Sequence, residues 1–158
     1  MSTITKTLLQ TNPVTLLSTE LNSLANNALV VSSVGGSSGA FNFAIGGTDL
    51  DGYQDIDIEL YIASMGGTPT AQTGFSIWFL GQVDGTNYED GSASVEPARG
   101  PDCVIPVRAV STAQRIIKRQ VAAPHGTNKV LIKNNGTGQA LASSGNTLKV
   151  KAATDSQV

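Results

Sequence analysis

Cysteine and histidine are almost missing from this chain, and their scarcity excludes several classes of site. The 158 residues contain one cysteine, Cys103, and one histidine, His125. One cysteine excludes both an intramolecular disulfide and a cysteine-based zinc site within a single copy. One histidine leaves a single possible base for a Ser/His/Asp triad and excludes a metal site built from several histidines of one copy.

Charge and long apolar runs are also scarce. Charged residues make up 14% of the sequence, whereas an ordinary globular domain has about 25%. No run reaches the ~18 apolar residues of a membrane-spanning helix, and the start MSTITKTLLQTNPVTLLSTEL lacks the apolar core of a secretion signal. We therefore expect no membrane segment and synthesis in a reducing cytoplasm. The net charge of −2 argues against general nucleic-acid binding.

What the sequence does contain is a series of short β-type runs separated by turns rich in glycine and proline. It has no sustained helical period and no alternation of strands with helices. About eight strands of this kind predict an all-β, antiparallel two-sheet sandwich of the jelly-roll type, with an immunoglobulin-like sandwich as the alternative. The length fits one domain. We expect a flexible N-terminal arm at 1–12, a β-sandwich at 13–152 and a C-terminal tail at 153–158.

Two stretches predict strands most clearly. QDIDIELYIA, residues 54–63, alternates acidic with aliphatic side chains, which indicates a strand with one buried and one solvated face. GFSIWFLG, residues 74–81, holds the continuous apolar run from Ile77 to Leu80. Such a run predicts a strand that is covered on both faces or held at a subunit contact.

The charges are segregated along the chain. Ten of the twelve acidic residues lie between Asp49 and Asp102, and eight of the ten basic residues lie between Arg108 and Lys151 with no acid among them. One interpretation is that strands of the two halves become neighbours and pair their exposed faces across a sheet. The other is a subunit with opposite charge on different patches, which docks on a repeated surface. The two interpretations are compatible.

The acidic stretch also raises the possibility of metal binding. Asp49, Asp51 and Asp55 do not fit a calcium loop of the EF-hand type, because Tyr53 and Gln54 stand where that pattern needs an oxygen ligand and a glycine. A looser calcium site formed by these three carboxylates stays open. We predict no other metal site and no cofactor.

Carboxylate catalysis is the second possibility for this stretch. On one strand face Asp55 and Asp57 would lie about 6.5–7 Å apart at Cα, a spacing that glycoside hydrolysis permits. The sequence offers no aromatic platform for a sugar, since Trp78 lies inside an apolar run. We therefore predict that the chain is not an enzyme.

The remaining candidates are a turn histidine, a strand cysteine and a basic run. His125 lies in the turn PHGT and is predicted to be exposed, and Cys103 opens an apolar strand and is predicted to be a buried, inert thiol. The run RIIKRQ lacks interleaved aromatics and so favours contact with an acidic protein surface over nucleic acid. The predicted partner contacts are Asp55, Asp57, Glu59, Arg115, Lys118 and Arg119.

Several phrases of the sequence resemble one family. They are ELNSLANNALVVSS, DIDIELYIA, FLGQVDGTNYEDG and the closing QRIIKRQVAAPHGTNKVLIKNNGTGQALASSGNTLKVKA. Together they resemble small jelly-roll virion proteins of tailed double-stranded DNA bacteriophages, over residues 14–152 and most specifically over 131–151. The ending KAATDSQV departs from that family, which closes with a proline-containing segment.

The resemblance implies a capsid decoration or cement protein. Such a protein binds the outside of the capsid lattice, so the implied partners are the major capsid protein and further copies of the chain, and the implied location is the capsid surface of a virion assembled in the bacterial cytoplasm. Two other roles stay open. One is a β-sandwich module of a tail or fibre that binds carbohydrate or a host surface, and the other is a calcium-dependent adhesion module.

Overall fold

The computed structural model describes residues 5–9, 12–33, 39–42 and 55–157, with side chains between 12 and 152. Its described part is built from ten strand segments and one short 3₁₀ turn, Thr19–Leu21. The strands are β1 (Thr5–Leu9), β2 (Val14–Leu17), β3 (Leu29–Val31), β4 (Ala40–Asn42), β5 (Asp55–Ile62), β6 (Gly74–Gly81), β7 (Cys103–Pro106), β8 (Gln114–Ala122), β9 (Thr127–Asn135) and β10 (Thr147–Gln157). No helix in this part is long and apolar enough to cross a membrane.

The strands form two antiparallel sheets. Sheet 1 has the order β1, β10, β5, β8, with β2 also paired to β10; sheet 2 has the order β3, β9, β6, β7, with β4 also paired to β9. β1 and β2 pair with successive parts of β10, and β3 and β4 pair with successive parts of β9. Each pair therefore acts as one interrupted edge strand, and the ten segments fill eight strand positions.

This arrangement confirms the predicted jelly roll. The chain passes from one sheet to the other at nearly every connection, and only β6 and β7 are both consecutive and neighbours in one sheet. Two four-position sheets connected in this way are the jelly roll. The immunoglobulin-like alternative, in which the strands are divided between the sheets in another order, is not the fold observed.

The sheet extends beyond the predicted domain boundaries. β1 lies inside the segment 1–12 and pairs with residues 153–157 of β10, the segment predicted as a tail. Backbone pairing at this end therefore joins the two terminal segments to each other. Whether residues 1–12 move independently of the domain stays a prediction.

The core lies between the two sheets and follows from the strand patterns. β5 buries every second residue, from Ile56 to Ile62, while its acidic residues stay half-buried on the outer side. β6 is buried on both faces along Phe75–Leu80, because Phe75, Ile77 and Phe79 join the main core while Trp78 and Leu80 join a second, smaller cluster. The prediction of a doubly covered strand is confirmed, and the cover on the outer face belongs to the same chain, since the Trp78 indole donates to the carbonyl of Arg99.

Two buried asparagines fix the loops at one end of the sandwich by hydrogen bonds. Asn134 is fully buried, and its amide donates to the carbonyl oxygens of Leu24 at 3.2 Å and Gln139 at 2.8 Å while its Oδ1 accepts from the Thr137 hydroxyl at 2.6 Å. Asn146 is also buried. Its amide nitrogen donates to the carbonyl of Ala142, and its Oδ1 accepts from the backbone amide of Ala63, the residue after β5. The phrase NNGTGQALASSGN therefore has a structural role, since its amides fix the loops on one end of the fold.

Glu20 performs a similar task at the 3₁₀ turn. Burial alone would raise the pKa of Glu20, but the hydroxyl of Ser33 and the backbone amides of Ser18 and Ser33 donate hydrogen bonds to its carboxylate and lower the pKa to about 2. The charged form is therefore the one that holds the turn against the segment that follows β3.

Candidate interaction surfaces

The outer face of sheet 1 is a striped arrangement of charge. β5 lies in the middle with Asp57 and Glu59, and basic strands lie on both sides of it. In the β5–β10 register Glu59 is opposite Lys149 and Asp57 is opposite Lys151. The interpretation that acidic and basic strands pair across a sheet therefore fits the observed register.

The ion pairs on this face are made on the β8 side. Arg115 contacts Glu59 at 2.5 Å and Arg119 approaches Asp57 at 3.7 Å. Asp57 also accepts a hydrogen bond at 3.0 Å from the backbone amide of Gln120. Gln120 has a φ of +54° beside an irregularity where β8 carries one extra residue relative to β5, so Asp57 holds a β-bulge in place.

The β10 side of the same face has cations without such pairs. Within the part of the chain that the structure describes, neither Lys149 nor Lys151 makes an ion pair. Four bases, Arg115, Arg119, Lys149 and Lys151, face two acids, so this patch has a net charge of +2. An anionic group of a partner would meet lysines that hold no carboxylate of their own.

A groove runs across the patch. It has a volume of about 430 Å³ and is lined by Pro13, Asp57, Glu59, Arg115, Ile117, Arg119, Lys149, Val150 and Lys151. Ile117 is a large aliphatic side chain that is 50% exposed. We call these residues the sheet 1 groove.

The structure brings four of the six predicted partner contacts together. Asp57, Glu59, Arg115 and Arg119 line the sheet 1 groove. Asp55 lies at the start of β5, opposite Ala122 and Ala153. Lys118 is opposite Ile58 and so lies on the inner side of β8, although its side chain is exposed. It does not belong to the groove.

The predicted calcium ligands are only partly described. Asp49 and Asp51 lie outside the described residues, so the calcium hypothesis stays a prediction. Among the residues that are described, no three histidine, cysteine, aspartate or glutamate side chains lie together as a metal site would require.

The two scarce side chains lie where the sequence predicted. Cys103 is buried between the sheets, and burial raises the pKa of its thiol, an effect that the nearby charge of Lys118 partly opposes. A buried thiol with a raised pKa is a poor nucleophile. His125 is exposed in the turn between β8 and β9, where its carbonyl accepts a hydrogen bond from Asn128.

The outer face of sheet 2 is covered by the irregular segment 82–102. The covered cluster contains Trp78, Leu80 and Leu131, with Leu29 and Val31 packed at its margin. A methyl group on Gly91 would lie 3.0 Å from the Leu80 side chain and 3.2 Å from that of Pro97. A larger residue would push these side chains back by a few tenths of an ångström, so glycine at this position favours the close approach of the segment to the sheet.

Arg99 fastens this cover to β6. Its guanidinium donates to Asp102 at 2.6 Å, to Glu89 at 2.7 Å and to the carbonyl of Phe79 at 2.9 Å, while its own carbonyl accepts from the Trp78 indole at 3.2 Å. These hydrogen bonds with two carboxylates raise the pKa of Arg99 above its ordinary value. The charge-assisted pairs make the cover a fixed part of the fold.

A short hairpin stands out from this cover. Gln82 and Tyr88 form a β-bridge, and all five residues between them are exposed, including Val83, whose exposure is 105%. The Asp84 carboxylate accepts hydrogen bonds from the backbone amides of Asn87 and Thr86 and from the Asn87 side chain, which lower the pKa of Asp84 to about 2. We call residues 83–87 the hairpin tip; it presents a valine beside a fixed anion.

The sequence analysis did not identify the hairpin tip, and it did not include Lys149 and Lys151 among the predicted partner contacts. The pair Asp84-Gly85 was visible as a turn signal, but nothing in the sequence says that Val83 is left uncovered. The alternation of Lys149 and Lys151 with Leu148 and Val150 predicts that the two lysines point outward. That they have no salt-bridge partner in the described part of the chain depends on side-chain positions that no local pattern encodes.

Comparisons with family models, with curated proteins and with solved structures return no match for this chain.

Proposed function

We propose that this protein is a structural component of a tailed-bacteriophage virion, and that it decorates and stabilises the outside of the capsid lattice. The observation that carries the proposal is that the virion-family resemblance implies a jelly roll, and the chain has the jelly-roll strand order. The resemblance was read from phrases, whereas the strand order comes from backbone pairing. Their agreement is support from two different sources.

The phrases that carry the resemblance also have a shared place in the fold. The closing phrase supplies the buried Asn134 and Asn146, and ELNSLANNALVVSS supplies the backbone groups around Leu24 that Asn134 binds. The two phrases, far apart in sequence, are therefore parts of one hydrogen-bonded assembly. A family that shares this assembly would keep both phrases together.

The charged exterior suits binding to a repeated surface. Copies on a lattice bind with the combined strength of many modest contacts, so each contact needs specificity more than affinity. Opposite charge on the groove of sheet 1 and on segment 82–102 can supply that specificity and fix the orientation of each copy.

The test is depletion and restoration of virions. Particles that lack the protein are expected to release their DNA at a lower temperature, and purified protein added back should restore the release temperature while an unrelated protein of similar size does not. The copy number in intact particles should be that of a lattice component. Depleted particles that are as heat-resistant as complete ones would refute the stabilising role, and a copy number of only a few per particle would indicate a tail or fibre component instead.

A further inference from the structure

The hairpin tip and the sheet 1 groove have complementary chemistry. Val83 of the tip is fully exposed and Ile117 of the groove is half exposed, and they are two of the four large exposed aliphatic residues in the described part of the chain, with Val95 and Val104. An exposed aliphatic side chain on a rigid projection and another in the floor of a groove are suited to cover each other.

Their charges are opposite as well. The segment 82–102 contains five acids, Asp84, Glu89, Asp90, Glu96 and Asp102, and one base, Arg99, so its net charge is −4. The groove patch has a net charge of +2 and two lysines without ion pairs in the described structure. Asp84 is the acid beside the exposed valine, and the hydrogen bonds that lower its pKa to about 2 keep it charged well below neutral pH.

The tip and the groove cannot meet within one copy. The hairpin follows β6 of sheet 2, and its Tyr88 ring lies 4.6 Å from the ammonium of Lys129 on β9, also of sheet 2. The groove is on the outer face of sheet 1, the opposite layer of the sandwich. Complementary patches on opposite layers of one molecule are the arrangement that produces contact between copies.

We propose that the hairpin tip of one copy docks into the sheet 1 groove of a second copy, with Val83 against Ile117 and Asp84 between Lys149 and Lys151. The contact is head-to-tail, so each copy keeps one free tip or one free groove and can bind another copy. Head-to-tail contacts give closed rings or open chains. This proposal rests on the proposed function where it concerns neighbouring copies on the capsid, for which it names the surface of contact, but the contact itself needs no capsid.

The tip is organised for binding before the partner arrives. Asp84 is held by three hydrogen bonds from Thr86 and Asn87, and Gly85 adopts the positive φ of +76° that the turn requires. Little conformational freedom is therefore lost when it docks. The contact is small, so we expect weak association in solution that is strengthened on a lattice, where many copies are held together.

Sedimentation velocity on the purified protein tests the proposal. The mass of the wild type should rise with concentration above the 16.3 kDa of one copy, and the rise should be smaller when salt is increased from about 50 mM to about 500 mM, because the charges are exposed. Val83→Ser and the double substitution Lys149→Glu with Lys151→Glu should each weaken association by about tenfold or more.

Matched controls separate the proposed contact from general effects of charge and hydrophobicity. Val95→Ser removes an exposed valine from the same segment outside the tip, and Arg108→Gln removes an exposed positive charge outside the groove. Both should associate like the wild type. All variants should keep the wild-type melting temperature, since the altered side chains are exposed or line the surface groove.

Mixing a tip-deficient variant with a groove-deficient variant tests the proposed contact most directly. A tip-deficient copy, Val83→Ser, keeps its groove, and a groove-deficient copy, Lys149→Glu with Lys151→Glu, keeps its tip. At concentrations where the wild type associates, each alone should stay largely monomeric, and the mixture should form one-to-one dimers without larger species. A wild type that stays monomeric at both salt concentrations, controls that weaken association as much as the tip and groove variants, or a mixture that forms no dimer would each overturn the proposal. Capsid binding is not measured in this assay, so the outcome is independent of the virion experiment.

Discussion

Replacing the buried Asn134 is expected to destabilise the fold more than any exposed substitution near it. Its side chain makes three hydrogen bonds, to Leu24, Gln139 and Thr137, and is 0% exposed. A net hydrogen bond contributes about 0.5–1.5 kcal/mol, and a buried group left without a partner costs about 1–3 kcal/mol. Leucine has a similar volume, so Asn134→Leu removes the hydrogen bonds without creating a large cavity.

The other hydrogen bonds of the partner groups narrow the expected loss of stability in Asn134→Leu. The Leu24 carbonyl also accepts from the Leu141 amide, and the Gln139 carbonyl also accepts from the Thr137 hydroxyl. These partners therefore keep a hydrogen bond in the variant, and the penalty for unsatisfied groups is reduced. We expect a loss of about 2–3 kcal/mol in the free energy of unfolding, which corresponds to a fall of about 4–12 °C in melting temperature for a domain of this size.

The control is the next residue along β9. Asn135 is exposed, and its side chain makes one long hydrogen bond of 3.3 Å with the Ser76 hydroxyl. Asn135→Leu should lower the free energy of unfolding by less than about 1 kcal/mol. The assay is urea denaturation followed by circular dichroism, with thermal melting as a second measurement. If Asn134→Leu and Asn135→Leu melt at the same temperature, the buried amide does not stabilise the loops and the reasoning is refuted.

Three further predictions concern acid, the cover of sheet 2 and the thiol. Because the pKa of Glu20 in the folded protein is lowered to about 2, its stabilising effect is present above the ordinary glutamate pKa and is lost as the pH falls from about 4.5 to about 2. In denaturation measured between these pH values, Glu20→Gln should remove about 1 kcal/mol of this pH dependence, a value reduced because the group is partly exposed. Equal slopes of stability against pH for both proteins would contradict this. Arg99→Ala should free the segment 82–102, so the fluorescence emission of Trp78, the single tryptophan, should shift to longer wavelength and become more quenchable by acrylamide. Arg108→Ala should leave the spectrum unchanged. An unshifted spectrum in the Arg99 variant would show that the cover does not depend on this side chain. Cys103 should react with a thiol reagent only at the rate of unfolding, since it is buried and its pKa is raised, and rapid reaction in native buffer would contradict that.

Local patterns were sufficient to predict the central strands β5 and β6 of the sandwich. The alternation in DIDIELYI is visible in any window of the sequence, and the burial it predicts, Ile56 to Ile62 inward, is the burial observed. The apolar run after Phe75 predicted cover on both faces. What it could not predict is the source of the cover, because the contact of Trp78 with segment 82–102 depends on how an irregular segment of the same chain returns to the sheet.

The features missed are those that depend on register and on distance along the chain. A one-residue bulge in β8 changes which residues face Asp57, and the positive φ of Gln120 that accompanies it is rare for a residue other than glycine. The hydrogen bond from Asn134 to Leu24 joins residues 110 apart. In the sequence, the two phrases at the ends of that bond are related only by their resemblance to one family, because the contact between them exists only once the strands have paired.

The edge of sheet 1 argues for association through faces and against association through strands. β8 is nine residues long and is the last strand of sheet 1 among the described residues, so backbone groups on its outer edge could template a strand of another copy. It has the features that prevent this, namely the charges of Arg115 and Arg119, the inward-placed Lys118 and the bulge at Gln120. This edge is protected in several ways, whereas Ile117 on the adjacent face is half exposed, so the contact between copies that we propose uses the face of sheet 1 and not its edge.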